Sequence, residues 1–354
     1  MIPGLATPRL SGPVVLTATR SETLRSCPLR AVFELDRRFS HVHRSSISSV
    51  LGRAAHAVLE EASRARELPR EVFEQGIVSC WTAAVDAGRE ELETDSLFGD
   101  VPAPARWPNY QIVRARALQA ARDRLAAPLV PEHQVGVLVE EELTSQDQRF
   151  RGRIDRAEVS PSGVRIVDLK SADRNPEGMR PEHRRQVLFY AWLWRLVKGQ
   201  WPTTAAIHYL DGSMDEIGVS PDEAKRTVEE AVRILEGVED HLSRGGSAWN
   251  LAVPSCDHCR FCGYRIVCEP SLDCSQEEWW SQLCVVGYVT GLPGDRSWQV
   301  EVLGGNRPPG TCVYIVGVAT HASAPEGPCS VLASRRLSPL SFEADWRTLV
   351  IPLR

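Results

Sequence analysis

Lysine is almost absent from this chain. Only three of its 41 basic residues, Lys170, Lys198 and Lys225, are lysines, which leaves 38 arginines. Arginine is permanently charged and fork-shaped, whereas lysine is a compact amine whose pKa a protein can shift. In so biased a composition, a lysine two residues after an aspartate, as Lys170 stands after Asp168, indicates a chemical role rather than chance.

Long apolar runs are absent too. No stretch of about 18 apolar residues occurs, so no membrane span is predicted. The first 20 residues lack the charged-then-apolar order of a signal peptide, and Pro3, Pro8 and Pro13 predict an extended lead-in. We therefore expect a cytoplasmic protein, in which cysteines are metal ligands or buried thiols rather than disulfides. No Walker motif occurs either, so ATP-driven unwinding of a substrate would require another protein.

The chain has no excess of positive charge, since its formal net charge is -5 at pH 7. Net charge averages over the whole surface, however, and a local basic groove is sufficient to bind a nucleic acid. The composition, 43% hydrophobic and 25% charged, is that of a soluble globular protein. A chain of 354 residues is longer than one hydrophobic core ordinarily accommodates, which predicts a main domain and a smaller second domain.

The apolar spacing predicts an α/β fold in the first three quarters of the chain. Helices are expected over residues 47–66, 69–94 and 110–126, and then strands, a helix, a strand and a last helix follow. This order indicates a small mixed sheet flanked by helices. The later elements are predicted at 135–143, 149–159, 164–170, 182–197, 204–210 and 221–243.

From residue 279 onward, short β-like runs alternate with turn residues, which predicts a small barrel or sandwich. We expect an OB-like barrel and a boundary near residue 275, which divides the chain into 1–275 and 276–354. Such a barrel would either bind nucleic acid or serve as a structural or protein-contact module. Its strands are predicted at 284–289, 298–303, 311–318, 330–334 and 348–353.

Two carboxylates and an amine, those of Asp155, Asp168 and Lys170, form a combination suited to phosphodiester hydrolysis. Asp168 and Lys170 are two apart on a predicted strand and so project from the same face. Asp155 lies on the preceding strand, and a tight hairpin would bring its carboxylate beside that of Asp168. Hard oxygen ligands of this kind suit Mg²⁺ or Mn²⁺, and the amine can orient a water or offset charge.

Further polar residues surround this group in the sequence. Gln186 and Tyr190 are four apart on a predicted helix and share one face. His56 stands four before Glu60 on the first strong helix. Glu140 and Glu142 precede the site strands and could add acidity, although a solvated strand end is the simpler interpretation.

These motifs resemble those of the PD-(D/E)XK nuclease superfamily, and more narrowly its RecB-like branch. That branch includes the nuclease domain of the AddAB helicase–nuclease and the CRISPR adaptation exonucleases. The resemblance covers about residues 21–270 and implies a restriction-endonuclease-like core. It rests on Gly152-Arg153-Ile154-Asp155-Arg156, on Val167-Asp168-Leu169-Lys170, on Gln186-x-x-x-Tyr190 and on a first motif from Gly52 through His56 to Glu60.

The resemblance implies a role for each matching residue. His56, Asp155 and Asp168 would bind the divalent metal with the backbone carbonyl of Leu169, and Lys170 would be the catalytic lysine. Gln186 and Tyr190 would position DNA or the active site, and the neighbouring Arg184 and Arg185 are candidates for phosphate contacts.

The implied activity is that of a Mg²⁺- or Mn²⁺-dependent deoxyribonuclease. By analogy with the family it would act on single-stranded DNA ends, as an exonuclease or also as an endonuclease, in DNA repair, recombination or defence. A helicase or another protein of these pathways is a candidate partner. The alternatives are a non-catalytic DNA-binding or complex-assembly subunit and a nuclease that acts on RNA.

Four cysteines within thirteen residues, Cys256, Cys259, Cys262 and Cys268, indicate a metal centre. Either these four bind structural Zn²⁺, or the last three join Cys27 around a [4Fe–4S] cluster. The segment from Ser21 to Pro28 resembles the opening of iron–sulfur RecB-like nucleases, which implies the cluster, with Cys256 as an alternative ligand to Cys27. The cluster would close a loop of more than two hundred residues as a clasp.

Overall fold

The structure is a computed structural model. It describes residues 5–42, 44–65, 67–94, 100–126, 136–259, 261–273, 282–294, 296–318, 322–333 and 335–353. None of the helices in these ranges combines the length and apolarity that a membrane crossing needs.

Helices dominate the chain up to residue 273. They are α1 (Ala18–Ser26), α2 (Pro28–Leu35), α3 (Ile47–Arg64), α4 (Arg70–Thr94), α5 (Tyr110–Ala126), α6 (Pro181–Lys198), α7 (Pro221–Ser243), α8 (Cys256–Cys259) and α9 (Glu269–Asp273). Short 3-10 turns occupy Arg37–Phe39, Pro104–Arg106, Ala248–Leu251 and Gly263–Val267.

The strands fall into two groups. The first is β1 (Gly136–Thr144), β2 (Arg151–Ser160), β3 (Gly163–Lys170), β4 (Thr204–Tyr209) and β5 (Met214–Gly218). The second is β6 (Leu283–Gly294), β7 (Ser297–Gly305), β8 (Cys312–Val316), β9 (Pro328–Ala333), β10 (Arg335–Arg336), β11 (Ser341–Glu343) and β12 (Leu349–Pro352).

The first sheet is mixed, with strand order β1-β2-β3-β4-β5. Strands β3 and β4 run parallel, because α6 crosses over between them, and the other neighbours are antiparallel. Val167 and Leu169 on one face of β3 pack against α3, α4 and α5. Ile166 faces the other side, where α1, α6 and α7 cover the sheet. The α/β fold with a small mixed sheet flanked by helices is thus confirmed.

The second sheet has seven strands in the order β10-β11-β8-β7-β6-β9-β12. The expected OB-like barrel is wrong: the described strands form an open sheet, in which the end strands β10 and β12 do not pair with each other. One face carries its own core, which buries Trp298 and Phe342. The other face packs Val286 and Leu332 against Phe33 of α2 and Tyr264. Because α2 and the segment around Tyr264 cover this second face, the sheet buries its apolar surface without closing on itself.

Candidate active site

Strand β3 carries two of the predicted site residues to the face covered by α6. Asp168 is buried, with 3% of its surface exposed. The Lys170 ammonium lies 2.7 Å from Oδ2 of Asp168 and donates a hydrogen bond at 2.8 Å to the Gln186 side-chain oxygen. The side-chain nitrogen of Gln186 in turn donates to Oδ1 of Asp168 at 2.9 Å. These three side chains therefore form one closed group that fixes the ammonium in place.

Tyr190 lies one turn after Gln186 on α6 and is buried. Its ring covers the backbone of Gly152 on β2, where a Cβ would come within 2.9 Å of the ring. Only a glycine at this position lets the helix approach β2 so closely. Tyr190 and Gln186 also share a hydrogen bond, and burial above all raises the pKa of the tyrosine. Tyr190 therefore stays neutral and holds α6 in position.

Asp155 lies where strands β2 and β3 separate. Their paired register begins at Arg156 opposite Val167, and beyond that pair the Asp155 carboxylate accepts the Leu169 backbone N–H at 2.7 Å. A side chain thus replaces the next rung of the ladder. The Asp155 charge contributes to raising the pKa of Asp168, as two neighbouring carboxylates do.

A third carboxylate joins this site, that of Glu140, for which the sequence favoured a solvated strand end. Ligand atoms of His56, Glu140 and Asp155 all lie within 4.8 Å of one another, so these residues could hold a metal ion. The His56 Nδ1 lies 3.7 Å from Oδ1 of Asp155. Imidazole and carboxylate ligands suit Mn²⁺, and the carboxylates suit Mg²⁺.

Glu140 reaches the site through an unusual backbone. Its φ of 55° lies in the left-handed region, which is uncommon for a residue other than glycine. The pairs Val139 with Arg156 and Glu141 with Ile154 flank it, which puts Glu140 across from Asp155 in the β1–β2 register. Strained residues of this kind concentrate at functional sites. Because Glu140, Glu141 and Glu142 are consecutive, the sequence does not show which of them enters the site, and the register on β2 decides it.

Burial sets the protonation of the site. It raises the pKa of Asp168 to about 6, while the Lys170 charge acts in the opposite direction. Burial and the Asp155 charge also raise the pKa of Glu140. The Arg153 side chain, whose Nε lies 2.5 Å from the Glu140 carboxylate, partly offsets this rise. Carboxylates crowded in this way resist ionisation until a cation enters. The residues therefore fit a divalent metal.

The two arginines predicted to contact phosphates are both held in fork-shaped ion pairs. Arg184 donates to Glu223 of α7 at 2.6 and 2.7 Å. Arg185 donates to Glu22 of α1 at 2.8 and 2.6 Å. The pairs tie α6 to its neighbouring helices, and a phosphate would have to compete with a carboxylate for each guanidinium. Their contact with DNA stays a prediction.

The predicted cluster cysteines meet at a second place. Cys27, Cys259, Cys262 and Cys268 line one cavity of about 250 Å³. Burial raises the pKa of the Cys262 thiol to about 11. Among the described residues, no three of these sulfur atoms lie within 4.8 Å of one another. The side chain of Cys256 lies outside the described part of the chain.

A comparison with protein families shows the family of this chain. A family model of the PD-(D/E)XK nuclease superfamily matches residues 15–269. No curated protein matches the chain. A solved structure titled "Crystal structure of SSO0001" is similar at 16% sequence identity, over 48% of this chain and 82% of that one, with a TM-score of 0.25. At such a TM-score the likeness says nothing about fold or function.

Proposed function

Because the chain belongs to the PD-(D/E)XK nuclease superfamily, we propose that it is a Mg²⁺- or Mn²⁺-dependent deoxyribonuclease that degrades single-stranded DNA from an end. The observation that carries the proposal is the closed group of Asp168, Lys170 and Gln186 beside the His56, Glu140 and Asp155 ligand set. A half-buried ammonium and clustered carboxylates on neighbouring strands are the groups that phosphodiester hydrolysis requires.

The roles follow from the positions of the side chains. His56, Glu140, Asp155 and Asp168 would hold the metal, which supplies Lewis-acid stabilisation of the phosphate charge and a more acidic water when bound. The Lys170 ammonium, held between Asp168 and Gln186, offsets charge on the phosphate and orients the attacking water. Tyr190 holds α6 against Gly152 and so keeps Gln186 within reach of Lys170.

The direct test is digestion of end-labelled single-stranded DNA with Mg²⁺ or Mn²⁺, by the wild type and by Lys170→Ala. We expect the wild type to degrade the strand and the variant to lose activity by about two orders of magnitude or more. Equal activity in both proteins, or none in either, would reject the catalytic proposal and leave a DNA-binding or assembly subunit. An RNA strand of the same sequence tests the alternative substrate, and a circular strand separates exonuclease from endonuclease action.

An enzyme that needs free single-stranded ends depends on other proteins to expose them. We place this activity in DNA repair, recombination or defence, alongside a helicase or similar partner, since the chain carries no Walker motif. Co-purification of the chain with an ATP-dependent partner that increases degradation of duplex DNA would support this placement. Equal degradation of duplex and single strands by the isolated chain would contradict it.

We also propose that Cys27, Cys259, Cys262 and Cys268 hold a [4Fe–4S] cluster that joins the two ends of the nuclease domain. Support comes from the cavity that the four cysteines share. The group would act structurally, by linking α2 to the segment after Cys259.

Anaerobic purification tests the cluster. We expect a brown protein with about four irons per chain, and loss of the colour in Cys262→Ser but not in Cys312→Ser, whose thiol lies on β8. A colourless protein that contains one zinc per chain would contradict the cluster and indicate a zinc site instead.

A further inference from the structure

A large cavity lies between the main domain and the C-terminal sheet. Its volume is about 760 Å³, within the range of ligand pockets. Three parts of the chain meet there: the start of α3, the 3-10 turn Pro104–Arg106 with the residues that follow, and the connection from β11 to β12. The family match ends at residue 269, so this connection is specific to the C-terminal addition.

The charged side chains that line this cavity are all positive. Arg44, Arg106 and Arg347 line it, and none of the described residues in its wall carries a carboxylate. Two acidic residues contact lining residues: Glu91 accepts from Ser45 and pairs with Arg53, and Asp345 pairs with Arg347. Four arginines thus stand against two carboxylates, in a chain with a net charge of -5. Such a cavity attracts anions.

Two parts of the cavity wall, the start of α3 and Ser171 after β3, belong to segments that also carry predicted site residues. Ser171, in its wall, follows Lys170 directly. The Ser171 Oγ lies 3.4 Å from where a Gly52 Cβ would stand, and Gly52 precedes His56 by one turn on the same face of α3. A DNA strand whose scissile phosphate lies at the metal ligands would therefore pass over Gly52 and Ser171 into the cavity.

The connection from β11 to β12 is held in a fixed shape. The Asp345 N–H donates to Thr348 Oγ1 at 3.0 Å, and the Arg347 N–H donates to Oδ1 of Asp345 at 2.9 Å. Thr348 is fully buried. The turn presents half-buried Trp346, with the Arg347 guanidinium 5.8 Å from its ring centre. A rigid aromatic ring beside cations is a platform on which a nucleobase stacks.

We propose that this cavity binds the single-stranded segment of the substrate next to the scissile phosphate, with its backbone on Arg106 and Arg44 and a base on Trp346. The proposal rests on the proposed function and adds that the C-terminal sheet is part of the substrate site. Arg106 is exposed, and no ion pair engages it within the described ranges, so it is the residue with which to test the charge.

Binding is measured apart from cleavage, by fluorescence anisotropy of a labelled oligothymidine on the Lys170→Ala protein in EDTA. We expect Arg106→Ala to weaken binding about fivefold or more, and to reduce the slope of log Kd against log salt by about 0.7, the value for one phosphate contact on a single strand. The matched control is Arg244→Ala, which removes an exposed arginine at the end of α7. Equal affinity and equal slope in both variants would overturn the proposal.

Trp346 is tested with two replacements, because it also packs against the helical core. Trp346→Phe keeps a stacking face, whereas Trp346→Leu keeps only an apolar contact. We expect Leu to weaken binding about five- to tenfold and Phe to retain most of the affinity. If both variants melt like the wild type and bind equally well, the ring does not stack a base and its role is packing alone.

The two failures are distinguishable. A wild-type protein that binds oligothymidine through Arg106 but never cleaves it rejects the proposed function and keeps the cavity as a strand-binding site. A wild-type protein that cleaves, while Arg106→Ala and Trp346→Leu bind and cleave as the wild type does, rejects the cavity alone.

Discussion

The side-chain nitrogen of Gln186 donates a hydrogen bond to Oδ1 of Asp168 at 2.9 Å. This bond connects the first turns of α6 to a carboxylate that is almost completely buried on β3. A hydrogen bond to the ionised form of an acid lowers its pKa, so Gln186 helps Asp168 to ionise. Since the Gln186 oxygen also accepts from Lys170, one side chain aligns both groups.

Replacement of Gln186 by leucine should therefore make Asp168 harder to ionise. We expect the acid limb of the pH profile of kcat/KM to move upward by about one to two pH units, because a hydrogen bond to a charged group contributes about 1.5–3 kcal/mol. The matched control is Gln119→Leu, which removes a Gln–Asp pair on the exposed face of α5. If activity falls but the pH profile does not shift, the role of Gln186 is to position Lys170 and not to help Asp168 ionise.

Metal affinity should depend on pH through Asp168, whose pKa burial raises to about 6. A raised pKa means that the metal-free fold favours the protonated acid, so the stability from this group is present at low pH and lost as pH rises through about 6. The metal needs the carboxylate, so its affinity should fall about tenfold per pH unit below that value. Calorimetric titration with Mn²⁺ at several pH values measures this, and Asp168→Asn should flatten the dependence.

Glu140 and Glu142 lie on the same strand and should respond differently to replacement. Glu140→Gln removes a carboxylate from the ligand group, and we expect Mn²⁺ affinity to fall by about tenfold or more. Glu142 is exposed and pairs with Arg151, so Glu142→Gln should leave the affinity unchanged. Isothermal titration of the two variants gives the comparison. Equal losses of affinity in the two variants would mean that Glu140 acts through long-range electrostatics and does not bind the metal directly.

Gly152→Ala should destabilise the protein, because the new Cβ would stand 2.9 Å from the Tyr190 ring and 3.1 Å from Leu193. We expect a loss of about 1–3 kcal/mol in the free energy of unfolding, the usual cost of overpacking. The control is Gly237→Ala on the exposed face of α7, where the new Cβ meets no neighbour. This change should increase the free energy of unfolding by about 0.5–1 kcal/mol. Urea denaturation measures both. The clash is refuted if Tyr190→Ala does not reduce the cost of Gly152→Ala.

The sequence alone determined the features that depend on local periodicity. Helix α7 was predicted at 221–243 and found at Pro221–Ser243, and α6 differs from its prediction by one residue at each end. Alternation along β3 predicted that Asp168 and Lys170 share a face, because side chains on a strand project with a period of two. The helices α1 and α2 and the strand β5 were missed; α1 has few apolar residues and β5 is short and polar.

Only the tertiary structure decided the features that depend on long-range packing. Glu140 entered the ligand group through the register of β1 on β2, and Glu22 and Glu223 engaged Arg185 and Arg184 from distant helices. The open second sheet follows from its contact with α2, which local patterning does not encode. The cavity at Trp346 exists because residues some 240 to 300 positions apart pack together. Motif spacing therefore identified the chemistry, whereas the packing of distant segments decided what surrounds it.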